Sequence, residues 1–246
     1  MSRVPSARTD RLLANLGYGS RRDIQAMVRR GRVTLDGTPL KNGDIHLPLT
    51  EDLPDRLSID GQRLDPLWPL TLVMHKPLGV VCSHRESGRS IYELLPTRWR
   101  SREPPLSTIG RLDAETTGLL LFTDDGGLLH RVISPRAKVA KRYLATLARP
   151  LRGDEGEIFA AGTLQLEGDR EPLAPAALEP LSATSAWLTI TEGRYHQVRR
   201  MFAAVGNHVE ALHRDRIGAL DIPETLAPGE WRIAGPKDLA QLLDAG

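Results

Sequence analysis

Beyond Thr71 the chain is divided into short apolar runs that read as β-strands, with few helices between them. Helical periodicity is confined to about residues 154–161, 195–205 and 237–244. Strands and helices therefore do not alternate regularly, as they would in a parallel sheet built from repeated strand–helix units. The pattern predicts an α+β domain with a mixed, mostly antiparallel β-sheet and flanking helices. The predicted strands are TLVMH, GVVCS, GLLLFT, RYLATL, AWLTIT, HVEALH and EWRI.

The first sixty residues predict a separate, smaller unit. A short apolar helix ends at Gly17, and Ser20 with Asp23 can form the capping box that starts a second helix. The stretch RVTLDGTPL follows as a β-hairpin, with the dipeptide Asp36-Gly37 at its turn. Two helices and a hairpin are sufficient for a compact module ahead of the larger domain.

Positive charge is concentrated in blocks. Residues 1–46 contain nine Lys and Arg against four acidic residues, and residues 131–142 contain five basic residues and no acidic one. Residues 151–179 carry seven acidic residues against two arginines. Segregated charge is typical of a protein that binds a polyanion, although any single block can also be an ordinary solvated face. Four arginines recur seven and eight residues apart on the outer side of the second helix: Arg21, Arg22, Arg29 and Arg30.

Cysteine usage and hydropathy restrict the class of protein further. A single cysteine, Cys82, excludes an internal disulfide framework and a multi-thiolate metal site. No apolar run approaches the roughly 20 residues that span a bilayer, and the N-terminal segment lacks the apolar stretch of a signal peptide. We therefore expect a soluble, cytoplasmic protein that does not contact a membrane.

The stretch GRLDAETTGLLLFTDDG places a carboxylate, Asp113, on the loop that leads into a hydrophobic strand. Arg111 precedes it by two residues, and Gly110 permits a tight backbone path. Catalytic groups often lie on such loops at the edge of a sheet, because a rigid scaffold positions them there. Local spacing equally allows Asp113 to be a structural cap of the loop.

Two other segments contain possible partners for this carboxylate. In the predicted helix at 195–205, His196 and Arg199 fall on one stripe, and an arginine there could keep a carboxylate ionised in a dry pocket. Tyr143 begins a strand beside a basic block. Its ring could stack on a nucleobase or pack in the core, and the local sequence leaves both open.

The motifs together resemble two known families. The N-terminal unit resembles the S4 RNA-binding domain in its SRR helix start and its GRVTLDG strand and turn. The remainder resembles the bacterial pseudouridine synthases of the RsuA type in the strings GRLDAETTGLLLFTDDG, KRYLATL and EGRYHQVRRMFAAVGNHVEALHRDRIG. The resemblance implies an S4-like domain with a basic N-terminal extension over residues 1–62 and a linker over 63–69. Residues 70–246 would be a catalytic domain with the pseudouridine synthase fold.

The resemblance also implies roles for single residues. Asp113 would be the catalytic aspartate, and Arg199 would form an ion pair with it. Tyr143 would stack on the target base and help to remove its C5 proton. Arg111 would lie at the RNA entrance, and His196 would contact RNA, as would the four arginines of the second helix.

The implied reaction is the isomerisation of uridine to pseudouridine, which breaks the N1–C1′ bond and forms a C5–C1′ bond. It involves no redox change and no loss of a group, so we predict neither a metal nor a cofactor. An ionised carboxylate could attack C1′ or assist a route through a glycal, and the sequence leaves this open. The target base must leave its stack, which costs a few kcal/mol in a duplex.

The implied partner is ribosomal RNA, in the small subunit or an assembly intermediate, with or without bound ribosomal proteins, and the protein would act as a monomer. Related large-subunit enzymes typically read NREVRR where this chain has YHQVRR, and several have a long basic tail, which favours 16S ribosomal RNA. The usual target of the RsuA type is uridine-516. The alternatives are a 23S pseudouridine synthase of the same family and a non-catalytic ribosome-assembly factor. A metal-dependent nuclease is rejected because the sequence lacks clustered acidic ligands.

Overall fold

The computed structural model describes residues 4–83 and 87–244. The chain divides into two compact units, the first comprising Met1–Leu70 and Leu95–Ser107 and the second Thr71–Leu94 and Thr108–Gly246. This division differs from the predicted boundaries in two places. Residues 64–69 are part of the first unit rather than a linker, since Leu64 belongs to its core and Asp65 is buried. Leu95–Ser107, predicted to lie in the catalytic domain, also belongs to the first unit.

The first unit contains a four-stranded sheet of order β3-β2-β5-β6 and a two-stranded sheet of β1 and β4. Its apolar core is formed by buried aliphatic residues of the helices and strands, Leu12, Leu16 and Ile24 among them. The helices are α1 (Thr9–Asn15), α2 (Arg21–Arg29) and α3 (Leu53–Arg56), with a 3₁₀ helix at Thr97–Ser101. The strands are β1 (Ser6–Arg8), β2 (Val33–Leu35), β3 (Thr38–Pro39), β4 (His46–Pro48), β5 (Leu57–Ile59) and β6 (Gln62–Arg63).

Local sequence signals account for the helix and the hairpin of this unit. Ser20 and Asp23 form the predicted capping box, in which the Ser20 hydroxyl accepts from the Asp23 amide and the Asp23 carboxylate accepts from the Ser20 amide. Asp36 and Gly37 both have positive φ, as the tight turn between β2 and β3 requires. Both predictions are confirmed.

The second unit is built on a nine-stranded sheet with the path β13-β14-β12-β15-β11-β7-β17, on which β10 pairs with β11 and β16 with β15. A separate parallel pair joins β8 and β9. The strands are β7 (Thr71–Lys76), β8 (Val80–Val81), β9 (Arg89–Ser90), β10 (Ser107–Ile109), β11 (Thr116–Thr123), β12 (Lys141–Leu147), β13 (Ala177–Ser182), β14 (Ser185–Ile190), β15 (Val209–Ile217), β16 (Leu220–Asp221) and β17 (Trp231–Ile233). The helices are α4 (Gly126–Ile133), α5 (Glu155–Ala160), α6 (Gln197–Ala204) and α7 (Pro236–Leu243), with 3₁₀ helices at Ile91–Leu94 and Pro135–Ala137.

The large sheet is mixed and mostly antiparallel, as predicted. On its main path, β11 and β15 are parallel, with Thr116 to Gly118 opposite Leu212 to Arg214, and the pairs on either side are antiparallel. Gly118 has a φ of +110°, and a Cβ there would lie 2.1 Å from the carbonyl oxygen of Arg214. Only glycine allows the two strands to approach so closely at this point.

The helix ends of the second unit are fixed by their caps. Asp125 caps α4, because its carboxylate accepts hydrogen bonds from the amides of Gly127 and Leu128. Helix α6 begins at Gln197, so that His196 precedes it as the N-cap residue and does not lie on a helical stripe with Arg199. Across residues 4–83 and 87–244, no helix has the length and apolar character needed to cross a membrane.

Candidate active site

A cavity of about 770 Å³ opens on one face of the second unit. Its walls are the loop between β10 and β11, the starts of β12 and β15, and the segment from β14 into α6. Five residues singled out from the sequence line it: Arg111, Asp113, Tyr143, His196 and Arg199. Residues that are up to 88 positions apart in the chain thus face one space. The structure brings the predicted catalytic residues together.

The loop that carries Asp113 is held by backbone hydrogen bonds and by a buried cation. Gly110 opens it with a φ of +71°, and the Thr116 amide closes it by donating to the Asp113 carbonyl at 3.0 Å. Lys76, at the end of β7, is fully buried, and its Nζ donates to the carbonyls of Thr116 at 2.8 Å and Ala114 at 3.3 Å. Burial lowers the pKa of this lysine. Lys76 therefore fixes the backbone on the C-terminal side of Asp113.

The Asp113 carboxylate is 35% exposed and has a histidine as its neighbour. Nε2 of His196 lies 3.4 Å from Oδ1 of Asp113, a contact that is an ion pair only when the imidazole is protonated. A carboxylate with one long contact keeps acceptor capacity for a ligand.

The predicted ion pair between Arg199 and Asp113 is not formed. Arg199 instead donates from Nη1 to the Val209 carbonyl at 2.8 Å and from Nη2 to the Glu115 carbonyl at 3.1 Å. These two carbonyls hold the planar guanidinium between β15 and the Asp113 loop, and they occupy donors that a carboxylate would need. Arg199 thus braces the loop from a second side.

His196 is held in an unusual backbone conformation. Its φ is +48°, in the left-handed region that non-glycine residues seldom adopt. Its ring stacks on that of Tyr195, with centroids 3.8 Å apart and an angle of 17° between the planes. Backbone strain of this kind occurs disproportionately at functional sites.

Tyr143 lies at the floor of the cavity, where a second buried cation contacts it. Arg214 on β15 is only 2% exposed, and its Nη1 lies 3.4 Å from the Tyr143 hydroxyl, which accepts the bond. Arg214 also donates from Nε to the Leu119 carbonyl at 2.9 Å. Lys141 lines the same wall, and burial, together with the nearby Arg214, lowers its pKa to about 8. The floor is therefore an aromatic ring bordered by buried positive charge.

Sequence reasoning missed Lys76 and Arg214. The available signal was a basic residue within or at the end of an otherwise apolar strand, in TLVMHK and in HVEALHRDRI. A long cationic side chain on a buried strand face must find partners inside the protein.

The four arginines of α2 lie in the first unit. Their side chains are exposed, and three of them make no ion pair within residues 4–83 and 87–244. Arg21 is the exception, since its Nη2 lies 3.2 Å from a carboxylate oxygen of Asp10. The predicted stripe therefore exists as an exposed basic face, separate from the residues that line the cavity.

The chemistry of the cavity defines a class of protein. A carboxylate on a braced loop faces a buried tyrosine across a space with basic walls, which is suited to a reaction at a glycosidic carbon of an anionic substrate. The chain belongs to the RNA pseudouridylate synthase family, whose model matches residues 70–204.

Individual relatives agree with this membership. The chain is 41% identical over 235 residues to the ribosomal small subunit pseudouridine synthase A of Vibrio cholerae, covering 96% of this chain and 99% of the relative. It is also 41% identical to the protein of that name from Escherichia coli strain K12, covering 96% of this chain and all of the relative. A crystal structure of a pseudouridylate synthase superposes with a TM-score of 0.65 at 36% identity, over 96% of this chain and 99% of that one. The protein is a pseudouridine synthase.

Proposed function

We propose that this protein isomerises a specific uridine of 16S ribosomal RNA, with Asp113 as the catalytic carboxylate. The observation that carries the proposal is the position of Asp113 at the cavity that Tyr143 also lines. The names of the relatives from Vibrio cholerae and Escherichia coli, which specify the ribosomal small subunit, support this choice of substrate. Uridine-516, the usual target of the RsuA type, is the proposed site.

In the proposed reaction the N1–C1′ bond breaks and its electron pair stays on N1. Asp113 either forms a bond to the electron-poor C1′ or assists a route through a glycal. The uracil turns, C5 bonds to C1′, the C5 proton leaves and N1 gains a proton. Tyr143 would stack on the base while it turns and help to remove the C5 proton. Lys76 and Arg199 would keep the Asp113 loop in place from its two sides.

Binding of the RNA would use the basic residues outside this centre. Arg111, exposed at the cavity, would lie at the entrance and help to fill the space that the flipped nucleotide leaves. His196 would contact RNA beside Asp113. The arginines of α2 would contact phosphates, which position an RNA without reading its sequence. The first unit would then serve as an S4-like RNA-binding module.

Two experiments test the proposal. Pseudouridines are mapped in 16S and 23S ribosomal RNA from cells with and without the gene. Loss of one pseudouridine in 16S RNA is expected; loss in 23S RNA would support the large-subunit alternative, and no loss in either would support a non-catalytic assembly factor.

The second experiment replaces Asp113 by Asn, which keeps the size of the side chain and removes its charge. We expect turnover, followed by tritium release from C5-labelled uridine, to fall by at least about a thousandfold, as for other essential catalytic groups. RNA affinity should remain close to that of the wild type. A variant that retains the wild-type rate would refute the role of Asp113.

A further inference from the structure

We propose that the stacked rings of Tyr195 and His196 form a platform for the base of a nucleotide that flanks the target uridine. The platform rests on the proposed function, since it requires a ribose to be held at Asp113. It would add Tyr195, the first residue of YHQVRR, to the RNA-contacting residues, a role that neither the resemblance nor the proposed reaction gave it.

The first observation is exposure. Tyr195 is 70% exposed, more than the other exposed large apolar side chains of the described residues. One face of its ring is covered by His196 at 3.8 Å. An aromatic ring that is left in water on a folded protein, with a free face, is suited to stack on a base.

The second observation is rigidity. Arg194 donates to a carboxylate oxygen of Asp169 at 2.9 Å, and Arg200 donates to the other oxygen at 2.8 Å. Arg200 also donates to the Tyr195 carbonyl at 3.2 Å. Side chains on both sides of Tyr195 are therefore fastened to one half-buried carboxylate. A ring held in this way loses little conformational entropy when a ligand binds to it.

The third observation is position. The left-handed backbone of His196 places its Nε2 3.4 Å from the Asp113 carboxylate, and Tyr195 and His196 both line the cavity. A ribose at Asp113 is joined to each neighbouring nucleotide by a single phosphodiester. When the target base leaves its stack, a neighbouring base loses a stacking partner, and the ring pair can replace it.

The test is a set of binding measurements on a 16S ribosomal RNA fragment and on versions of it that each lack one base. Stacking on an aromatic side chain contributes about 1–3 kcal/mol per base, so Tyr195→Ala should weaken binding of the intact fragment about 5- to 150-fold. Tyr195→Phe should bind as the wild type does, since it keeps the ring. The matched control is Leu181→Ala, which truncates an exposed apolar residue on β13 and should change nothing.

The decisive comparison is between RNAs. One fragment lacks the base next to the target uridine that stacks on Tyr195, and wild type and Tyr195→Ala should bind this fragment equally. On the fragments that lack a different base, Tyr195→Ala should still bind more weakly than the wild type. An equal penalty on every fragment, or none on the intact one, would overturn the platform. Binding is measured apart from isomerisation, so the predicted pattern in a protein that forms no pseudouridine would support the platform while refuting the proposed function.

Discussion

The basic residues of the two units are used in different ways. In the first unit many of them are exposed, and several are paired with carboxylates, as Arg32 is with Asp60 and Arg56 with Asp36. Arg102 is buried there and donates to the Pro66 carbonyl. Beside the cavity of the second unit, Lys76 is buried and Arg199 is half-buried, and both donate to backbone carbonyls, whereas Arg111 is exposed and Arg194 pairs with Asp169. Lys76 and Arg199 therefore shape the walls of the cavity, whereas the exposed arginines at the start and end of α2 and Arg111 at the cavity carry positive charge that can reach phosphate.

This difference has a physical cause. Burying an ammonium or guanidinium is costly unless it is hydrogen-bonded, and backbone carbonyls offer partners without a second formal charge. If these cations were paired with Asp113 instead, the carboxylate would have fewer free lone pairs to offer a ligand. Lys76 donates its hydrogen bonds to carbonyls and acts on the Asp113 carboxylate through its charge, while His196 Nε2 lies 3.4 Å from that carboxylate.

The largest effect is expected from the exposed arginines. Replacing Arg21, Arg22, Arg29 and Arg30 by Gln should reduce the slope of log affinity against log salt by roughly 3, at roughly 0.7–0.9 per phosphate contact. The single-turnover rate at saturating RNA should be unchanged. The control replaces Arg32 and Arg56 by Gln, whose charges are already paired. If the control lowers the slope by as much per arginine replaced, pairing with a carboxylate does not decide which arginines contact phosphate.

Lys76→Met should destabilise the second unit by about 3 kcal/mol, because it leaves buried carbonyls without a donor. The single-turnover rate should also fall, since the Asp113 loop loses its support. Urea unfolding and tritium release measure the two effects. Lys41→Met, which removes an exposed lysine, is the matched control and should change neither the free energy of unfolding nor the single-turnover rate. If Lys76→Met is destabilised but keeps the wild-type rate, catalysis does not depend on the support that Lys76 gives to the Asp113 loop.

Arg199→Ala should lower the single-turnover rate about 10- to 100-fold because it loosens the Asp113 loop. This loss corresponds to an activation free energy that is higher by about 1.4–2.7 kcal/mol. The acid limb of the pH–rate profile should stay in place, because Arg199 contacts carbonyls rather than Asp113. Arg199→Lys keeps the positive charge but cannot bridge the Val209 and Glu115 carbonyls, so its rate should be nearly as low as that of Arg199→Ala. A shifted acid limb in Arg199→Ala that Arg199→Lys restores would mean that the ion pair with Asp113 forms once RNA is bound.

The smallest effect concerns Lys141, whose pKa is about 8 in the folded protein and near 10.5 for an ordinary lysine. As the pH rises, the folded state loses the Lys141 proton near pH 8, whereas the unfolded state keeps it until near pH 10.5. Between these two pKa values the unfolded state binds more protons, so the free energy of unfolding increases with pH. The wild type should gain about 1 kcal/mol over Lys141→Met between about pH 7 and about pH 9. Chemical unfolding of both proteins at the two pH values measures it. If the difference in unfolding free energy between the wild type and Lys141→Met is the same at both pH values, Lys141 titrates like an ordinary lysine.

The strands and helices of the second unit were largely predictable because their signals are local. The run TLVMH became β7, RYLATL became most of β12, and three helices appeared within two residues of their predicted ends. The parallel pairing of β11 with β15 was not predictable, since it joins residues almost a hundred positions apart. Nor was the return of Leu95–Ser107 to the first unit, which depends on tertiary packing.

The site was predictable where a motif names a residue and unpredictable where geometry decides its partner. Asp113 and Tyr143 came from the motifs, and both line the cavity. The hydrogen-bond partners of Arg199 could not be predicted from the sequence. Helical spacing gives the direction of a side chain, but it does not say which acceptor lies at the end of that side chain. His196 shows the same limit: helix α6 starts one residue after it, which turns its ring onto Tyr195.

The path of the chain bears on how such a protein can be cut or recombined. The backbone passes between the two units three times, after Leu70, after Leu94 and after Ser107. A protease that cuts any one of these junctions produces two fragments with no covalent bond between them, and at least one unit then has residues on both fragments. Removal of residues 1–70 leaves behind Trp99, a buried residue of the first unit, without most of that unit. Transfer of the first unit to another enzyme would require two segments to move together. Point substitutions, which leave both segments in place, are therefore the suitable way to probe it.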